Sequence, residues 1–269
     1  MPEGQVSHRN AERLGAALAG RDLVEVTAPE PRLAPQRIPE RLAGDRVTAA
    51  EAVGKHHLLR FASGRVLHSH LMMTGAWRLL PASRAPAGAG LFLTLRTEAH
   101  VAALYRCPRL RLLEPGAPLP ASVARTGPDL IGEGVDPAAA TAAALARVDP
   151  AREIGDALRD QRVVAGIGNV YMSETCFLAG IDPWRVVGTI TEREAAALGS
   201  TGAELLAQGV RDGGRIRTRR AGRGRRDRDG ATWVYGRAGR PCLRCGTPIL
   251  ARRQGDAARV TYWCPACQA

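Results

Sequence analysis

The sequence predicts an α+β protein of more than one domain, and three observations support this. Short apolar or alternating runs, separated by Pro, Gly and Ser, fill residues 23–111 and are typical of antiparallel strands. Residues 152–178 then show helical periodicity, and four cysteines lie within residues 242–267. We therefore expect an antiparallel β-sandwich or barrel, a helical domain and a small cysteine-based module, for which 269 residues are enough.

The first element is predicted to be a helix of about 15 residues, because apolar positions recur at helical spacing between Val6 and Leu18. Pro2 suits the first turn of that helix. Removal of Met1 would expose Pro2 as a secondary amine, and the positive end of the helix dipole would keep this amine neutral and nucleophilic. Glu3 could shuttle a proton beside it. The alternative is a plain helix start in which Glu3 only complements the dipole.

The predicted helical domain contains a glycine-rich turn, AGIGN, between two helices. Gly166, Gly168 and Asn169 lie in this turn, where backbone N–H groups at a helix N-terminus could face a phosphate. The alternative is a simple helix–helix connection. An alanine-rich stretch at residues 138–145 favours a further helix, which is expected to carry the chain between domains.

Positive charge is concentrated at the C-terminal end of the chain. Lys and Arg number 38 against 26 Asp and Glu, which gives a net charge of +12, and residues 211–269 contribute 11 of these charges. Residues 211–230 hold nine arginines and almost no apolar residue, so a mobile loop is expected there. Lys55 is the only lysine in the chain. The charge favours an acidic polymer such as nucleic acid as the partner.

No apolar stretch approaches the roughly 18 residues that a membrane span needs, and the N-terminus lacks the apolar segment of a secretory signal. The sequence therefore predicts a soluble, cytoplasmic protein with no membrane partner.

The cysteine spacing indicates a structural zinc site. The CLRC and CPAC motifs supply two pairs of thiolates, as a tetrahedral Zn²⁺ ion requires, and a redox CxxC is the weaker alternative. The segment between them is predicted to form a hairpin that turns near Gln254–Asp256 and carries Arg252, Arg253 and Arg259. Cys107 and Cys176 are expected to be small buried hydrophobic residues. The four predicted zinc ligands are Cys242, Cys245, Cys264 and Cys267.

Taken together, several segments resemble the formamidopyrimidine-DNA glycosylase/endonuclease VIII family. The resemblance spans residues 2–268 and rests on the order and spacing of MPEG, GKHHLL, SH, DQRVVAGIGNVYMSE, YGRAGRPCLRCG and RVTYWCPACQ. It implies a catalytic N-terminal β-sandwich with a leading helix (residues 1–120), a helix-two-turns-helix domain with the Arg/Gly loop (121–230) and a zinc-finger hairpin (231–269). In the family, DNA is held in the cleft between these parts.

The resemblance also implies roles for single residues. Pro2 matches the Schiff-base nucleophile and Glu3 the general acid/base. Lys55 matches a strand lysine that contacts phosphate and assists β-elimination, and Arg259 matches a zinc-finger arginine linked to phosphate binding and δ-elimination. The residues expected to bind DNA are Arg125, Gly168, Asn169, Met72, Met73 and Arg109.

The family has branches that differ in substrate. Its 8-oxoguanine branch typically has an Asp-Pro-Arg-Arg-Phe-Gly loop, whereas this chain reads Cys-Pro-Arg-Leu-Arg at residues 107–111. The Phe wedge is therefore missing, and Met72 or Met73 could fill the space of a flipped base, with core packing as the alternative. The sequence favours the endonuclease VIII branch, which acts on oxidised pyrimidines.

The predicted function is a monomeric, bifunctional DNA glycosylase and abasic-site lyase of base-excision repair that acts on damaged double-stranded DNA and holds one structural zinc. One alternative is an 8-oxoguanine/formamidopyrimidine glycosylase of the same family. The other is a non-catalytic protein that binds damaged DNA.

Overall fold

The computed structural model describes residues 2–219 and 231–269. The chain divides into two compact units, the first formed by Pro2 and residues 6–124. The second is formed by Glu3–Gln5 and by the described residues from 125 to 269. Most of the predicted Arg/Gly loop, residues 220–230, lies outside the described residues.

Two four-stranded antiparallel sheets dominate the first unit, which confirms the predicted β-sandwich class. Their strand orders are β1-β6-β7-β5 and β2-β3-β4-β8. The elements are α1 (Gly4–Leu18), β1 (Glu25–Thr27), a 3₁₀ turn (Pro31–Gln36), α2 (Ile38–Leu42), β2 (Val47–Val53), β3 (His56–Phe61), β4 (Val66–His70), β5 (Ala76–Pro81), β6 (Leu91–Arg96), β7 (His100–Tyr105), β8 (Arg109–Leu113) and α3 (Ala121–Ala124).

The leading helix has the predicted length of 15 residues but begins at Gly4, so Pro2 lies before the helix and not in its first turn. The expected position of Pro2 was therefore wrong. The reason is that residues 3–5 belong to the second unit. There the N–H of Gly4 donates to the Gly166 carbonyl at 2.8 Å.

Strand alternation in the sheet β2-β3-β4-β8 separates an apolar face from a polar one. Leu59 and Phe61 of β3 join the hydrophobic core, together with Leu110 of β8. On the opposite face, His56, His70 and Arg109 form one cross-strand row, because they pair in register across β3, β4 and β8.

Helices are the main regular structure of the second unit. They are α4 (Pro137–Leu145), α5 (Ile154–Arg159), α6 (Asn169–Ala179), a 3₁₀ turn (Val187–Thr189) and α7 (Glu192–Arg211). The predicted helix–turn–helix over residues 152–178 is confirmed as α5 and α6. Helix α7 was not predicted from the sequence, although Thr191 and Glu194 at its start form a capping box.

The cysteine module of the second unit is built on the predicted hairpin, formed by β9 (Leu250–Gln254) and β10 (Arg259–Trp263). A small core that includes Phe177 of α6, Val234 and Ile249 packs beneath it. Cys107 and Cys176 are fully buried as expected. Over the residues that the structure describes, no helix is long and apolar enough to cross a membrane.

Candidate active site and metal centre

The carboxylate of Glu3 is seated at the N-terminus of α6. It is 1% exposed and accepts three backbone hydrogen bonds, from Gly168 at 2.8 Å, Val170 at 2.9 Å and Tyr171 at 3.2 Å. The first turn of a helix leaves N–H groups without intrahelical partners and carries partial positive charge, so a carboxylate is favoured there. The acid next to Pro2 is therefore fixed in one position.

The glycines of the AGIGN turn make room for this seat. A Cβ at Gly168 would lie 2.4 Å from Cδ of Glu3, and a Cβ at Gly4 would lie 2.6 Å from Cα of Gly166. At Gly4 the clash would be with backbone, so glycine is needed there, whereas a Cβ at Gly168 would displace the Glu3 side chain from its seat. The N–H groups that the sequence analysis assigned to a phosphate face the Glu3 carboxylate instead.

Asn169 begins α6 and its side chain is fixed at both ends. Its Oδ1 accepts a hydrogen bond from Arg159 Nη1 at 3.0 Å, and its Nδ2 donates to the Val260 carbonyl of β10 at 2.7 Å. Arg259 precedes Val260 and is exposed at the start of β10. The second unit therefore brings Glu3, Gly168, Asn169 and Arg259 around the start of α6.

Lys55 lies in the two-residue turn that joins β2 to β3, one residue before His56. The family resemblance implied a strand lysine, so the observed position differs by one residue from the strand itself. A tight turn at this point is possible because Gly54 has a φ of +56°. Lys55 is half-buried, as is Pro2 at the start of the same unit.

Three histidines to which no role was assigned from the sequence lie on the polar face beside Lys55. Nδ1 of His56 and Nε2 of His68 are 2.8 Å apart, and the ring of His70 lies edge-on to His56 with centroids 4.7 Å apart. Burial and nearby positive charge lower the pKa of His56 to about 3 and those of His68 and His70 to about 4. These imidazoles are therefore neutral near pH 7, and cationic groups such as Lys55 and Arg109 supply positive charge there.

The two methionines lie in the turn between β4 and β5. Met72 has a φ of +52°, and its N–H donates to Nδ1 of His70 at 3.0 Å. Met73 is 59% exposed, which places it outside the core. Leu110, by contrast, is 6% exposed and belongs to the core, so it does not present an apolar wedge. Arg125 is exposed and directly follows α3.

The four predicted zinc ligands lie close together. Their sulfur atoms are all within 4.8 Å of one another, with Cys242 and Cys267 separated by 3.9 Å and Cys245 and Cys264 by 3.5 Å. Tetrahedral Zn–S bonds of about 2.3 Å place sulfurs about 3.8 Å apart. The donor set and its spacing therefore fit one structural Zn²⁺ ion.

Glu174 is a second buried carboxylate, which the sequence analysis missed. It is 0% exposed and accepts hydrogen bonds from the Thr218 hydroxyl and from the backbone N–H groups of residues 233–235. Burial raises its pKa, while these donors oppose the rise because they favour the ionised form. A signal was present in the sequence, since Glu174 is a lone acid in the otherwise uncharged helix NVYMSETCFLA.

Comparison with known proteins shows matches along nearly the whole chain. Family models match the formamidopyrimidine-DNA glycosylase N-terminal domain at residues 1–111, its H2TH domain at 127–220, and a zinc finger found in FPG and IleRS at 239–269. In fold, the chain is similar to a Lactococcus lactis formamidopyrimidine-DNA glycosylase bound non-covalently to abasic-site DNA. The TM-score is 0.79 at 24% identity, and the match covers 99% of each chain.

Curated relatives match over the full length. The chain is 42% identical to a probable endonuclease 8 2 of Streptomyces coelicolor, covering 100% of this chain and 94% of the relative. It is 38% identical to DNA-(apurinic or apyrimidinic site) lyase Nei2 of Mycolicibacterium smegmatis, covering 100% and 99%. A formamidopyrimidine-DNA glycosylase of Methylococcus capsulatus is 33% identical, covering 100% and 98%. The chain belongs to the formamidopyrimidine-DNA glycosylase/endonuclease VIII family, and it contains that family's zinc finger.

Proposed function

We propose that the protein is a bifunctional DNA glycosylase and abasic-site lyase that removes oxidised bases from damaged double-stranded DNA. The observation that carries this proposal is the Glu3 carboxylate, buried and fixed by three backbone N–H groups directly after Pro2. A fixed acid beside a terminal secondary amine is a nucleophile and proton-transfer pair. The full-length relatives named as endonuclease 8 and as an abasic-site lyase support the same activity.

In the proposed mechanism, removal of Met1 frees the Pro2 amine, which attacks C1′ of the damaged nucleotide after the base is flipped out. The N–C1′ bond forms, the glycosidic bond breaks, and the base leaves with the bonding electrons and takes up a proton. Glu3 delivers a proton to the ring oxygen as the sugar opens, and an iminium ion results. This cation acidifies the C2′ proton, so that β-elimination breaks the C3′–O bond. A following δ-elimination breaks the C5′–O bond, and water then releases Pro2.

The remaining predicted residues hold the DNA in this proposal. Lys55 and Arg259 bind the phosphates that become leaving groups, through charge-assisted hydrogen bonds. Met73, exposed at the tip of its turn, inserts into the space of the flipped base together with Met72. The expected backbone contacts come from Arg109, Arg125 and Asn169, whereas the N–H of Gly168, also expected to bind DNA, donates to Glu3.

We favour oxidised pyrimidines as substrates, because Leu110 is buried and residues 107–111 lack the Phe wedge of the 8-oxoguanine branch. An 8-oxoguanine/formamidopyrimidine glycosylase is the second candidate, supported by relatives of that name at 33–35% identity. In either case we propose a monomeric cytoplasmic enzyme with domains at residues 1–120, 121–230 and 231–269. Its zinc would hold the hairpin that presents Arg259.

Borohydride trapping tests the proposal. Duplexes that carry thymine glycol, 8-oxoguanine or an abasic site are incubated with the protein, and any Schiff base is reduced to a stable adduct. We expect a trapped complex on the abasic and thymine-glycol duplexes. Peptide mapping should locate the adduct on Pro2. Intact mass must show that Met1 is absent.

Because the chain has a single lysine, one substitution tests whether a side-chain amine forms the adduct. Apart from the terminal amine, Lys55 is the only amine that could form an adduct, and Lys55→Arg removes it while keeping the charge. The Lys55→Arg variant must still form the trapped complex. A variant in which a residue that is not removed stays attached to the nitrogen of Pro2 must not form it. Duplex binding without trapping on any substrate would favour the non-catalytic alternative, and preferential trapping on 8-oxoguanine would favour the second candidate.

A further inference from the structure

Arg159, the last residue of α5, has its guanidinium buried between the helical part and the zinc hairpin of the second unit. Its side chain is 9% exposed. Nη1 donates to Oδ1 of Asn169 and to Oγ1 of Thr261, both at 3.0 Å, and Nη2 donates to Oε1 of Gln254 at 3.1 Å. A guanidinium can make these bonds together because its donors are fixed in one plane.

The partners of Arg159 are themselves ordered. Thr261 donates its hydroxyl proton to Oε1 of Gln254 at 2.8 Å, and Nε2 of Gln254 donates to the Pro183 carbonyl at 2.8 Å. Thr261 is 0% exposed and Gln254 is 2% exposed. The guanidinium therefore sits in a closed polar network whose members cannot exchange their partners for water.

This network fixes which way the Asn169 amide faces. The oxygen must point toward Arg159, since the opposite orientation would set an NH₂ group against the cationic N–H groups. The NH₂ group then faces β10, where one hydrogen is donated to the Val260 carbonyl at 2.7 Å. The Asn169 side chain is also hydrogen-bonded to the side chain of Tyr235, so its amide is held in one orientation beside β10.

The same network seats the hairpin that carries Arg259. Gln254 and Arg259 are register partners at the turn end of the β9–β10 hairpin, and Gln254 accepts a hydrogen bond from Arg159. Asp156 contributes an ion pair to Arg159 at 3.5 Å. Desolvation lowers the pKa of Arg159, and the nearby Arg259 acts in the same direction. Two cations are thus held near one another around the start of α6.

We infer that Arg159 is a positioning residue for phosphate binding, which acts through Asn169 and Arg259 without contacting DNA itself. The inference rests on the proposed function, in which both of these residues bind the DNA backbone. A guanidinium at this place sets both the orientation of the Asn169 amide and the position of the hairpin strand that begins with Arg259. Its removal would weaken phosphate binding even in a folded, zinc-loaded protein.

The test compares the full-length, zinc-loaded wild type with Arg159→Met, which keeps an unbranched side chain but removes the guanidinium. Affinity for a duplex with a tetrahydrofuran abasic analogue is measured over a range of salt concentrations. We expect Kd to rise about tenfold, the net value of a lost hydrogen bond to a charged group. The slope of log K against log salt should become shallower by about 0.9 for each phosphate that the variant no longer neutralises. On an abasic duplex, the share of δ-elimination product should fall.

Arg162→Met is the matched control. Arg162 lies three residues further along, its side chain is 73% exposed, and its ion pair is with Asp160. Its removal should leave the salt slope and the product ratio unchanged. A double-mutant cycle adds Asn169→Ala, and Arg159→Met should cause a smaller decrease in affinity in that background, because the effects of residues that act together are not additive.

A wild-type salt slope and a wild-type product ratio in Arg159→Met would overturn the inference, even if the variant unfolds at lower temperature. That pattern would mean that the network only stabilises the fold. If Arg159→Met does not fold, Thr261→Val removes one partner of the guanidinium and should give a smaller change of the same kind. A wild-type protein that neither binds nor cleaves the abasic duplex would instead defeat the proposed function itself.

Discussion

Two buried carboxylates at different levels of the same helix make a useful comparison. Glu3 accepts the N–H groups at the start of α6, whereas Glu174 lies within α6 and accepts donors from residues 218 and 233–235. Both are at most 1% exposed. Glu3 follows the proposed nucleophile, while Glu174 ties together the segments on either side of residues 220–230. Burial and hydrogen bonding are therefore shared by a proposed catalytic acid and a structural one, and they do not distinguish the two roles.

Replacing each of the two glutamates with glutamine should distinguish the catalytic role from the structural one. In Glu3→Gln the amide oxygen can still accept from Gly168 and Tyr171, so only the Val170 N–H loses its partner. An unpaired buried donor costs about 1–3 kcal/mol. Activity should fall much further, by about 10²- to 10⁴-fold in base excision, because the proton shuttle is lost. Single-turnover release of thymine glycol measures this.

Glu12→Gln provides the control for Glu3→Gln, since Glu12 is an exposed acid on α1 that pairs with Arg9. It should excise the base at the wild-type rate. Excision within about threefold of wild type in Glu3→Gln would remove Glu3 from the mechanism and reduce it to a cap of α6.

The sequence predicted the family, the fold and the zinc module better than the contacts around Glu3. The short alternating runs of residues 23–111, the set of family motifs and the cysteine spacing are local signals, so the sandwich, the family and the zinc module could be predicted from them. The seat of Glu3 could not, because it depends on N–H groups more than 160 residues away. Arg159 was missed for the same reason, since its partners in the hairpin are 95 and 102 residues distant. Helix α7 and Glu174 had local signals that were overlooked.

A variant that displaces the Glu3 carboxylate but keeps its charge should cause the second largest loss of base-excision activity. Gly168→Ala introduces a Cβ whose ideal position is 2.4 Å from Cδ of Glu3, while the φ of −121° is acceptable to alanine. The carboxylate must move, and a shift of about 1 Å in a catalytic group can cost about 10²-fold in rate. We expect base excision to fall by about 10- to 100-fold.

Gly15→Ala, within α1, is the matched control, because a Cβ there would make only ordinary contacts with Ala50, the nearest at 3.8 Å. Its rate should equal that of wild type, and its stability should rise slightly, by up to about 1 kcal/mol. An unchanged rate in Gly168→Ala would show that the position of Glu3 is not critical for the chemistry.

The smallest effect on activity is expected for Glu174→Gln. Its oxygen can keep the N–H groups of Val234 and Tyr235, and the Thr218 hydroxyl can turn to accept from the new NH₂ group. Only the Trp233 N–H then loses its partner, so unfolding in urea should show a loss of about 1–3 kcal/mol, close to that of Glu3→Gln. Abasic-site cleavage at saturating substrate should stay within about threefold of wild type. Equal stability loss with unequal activity would distinguish the two carboxylates. If Glu174→Gln were as inactive as Glu3→Gln while folded, Glu174 would need a role in the reaction, and the segments that it joins would have to contribute to the active site.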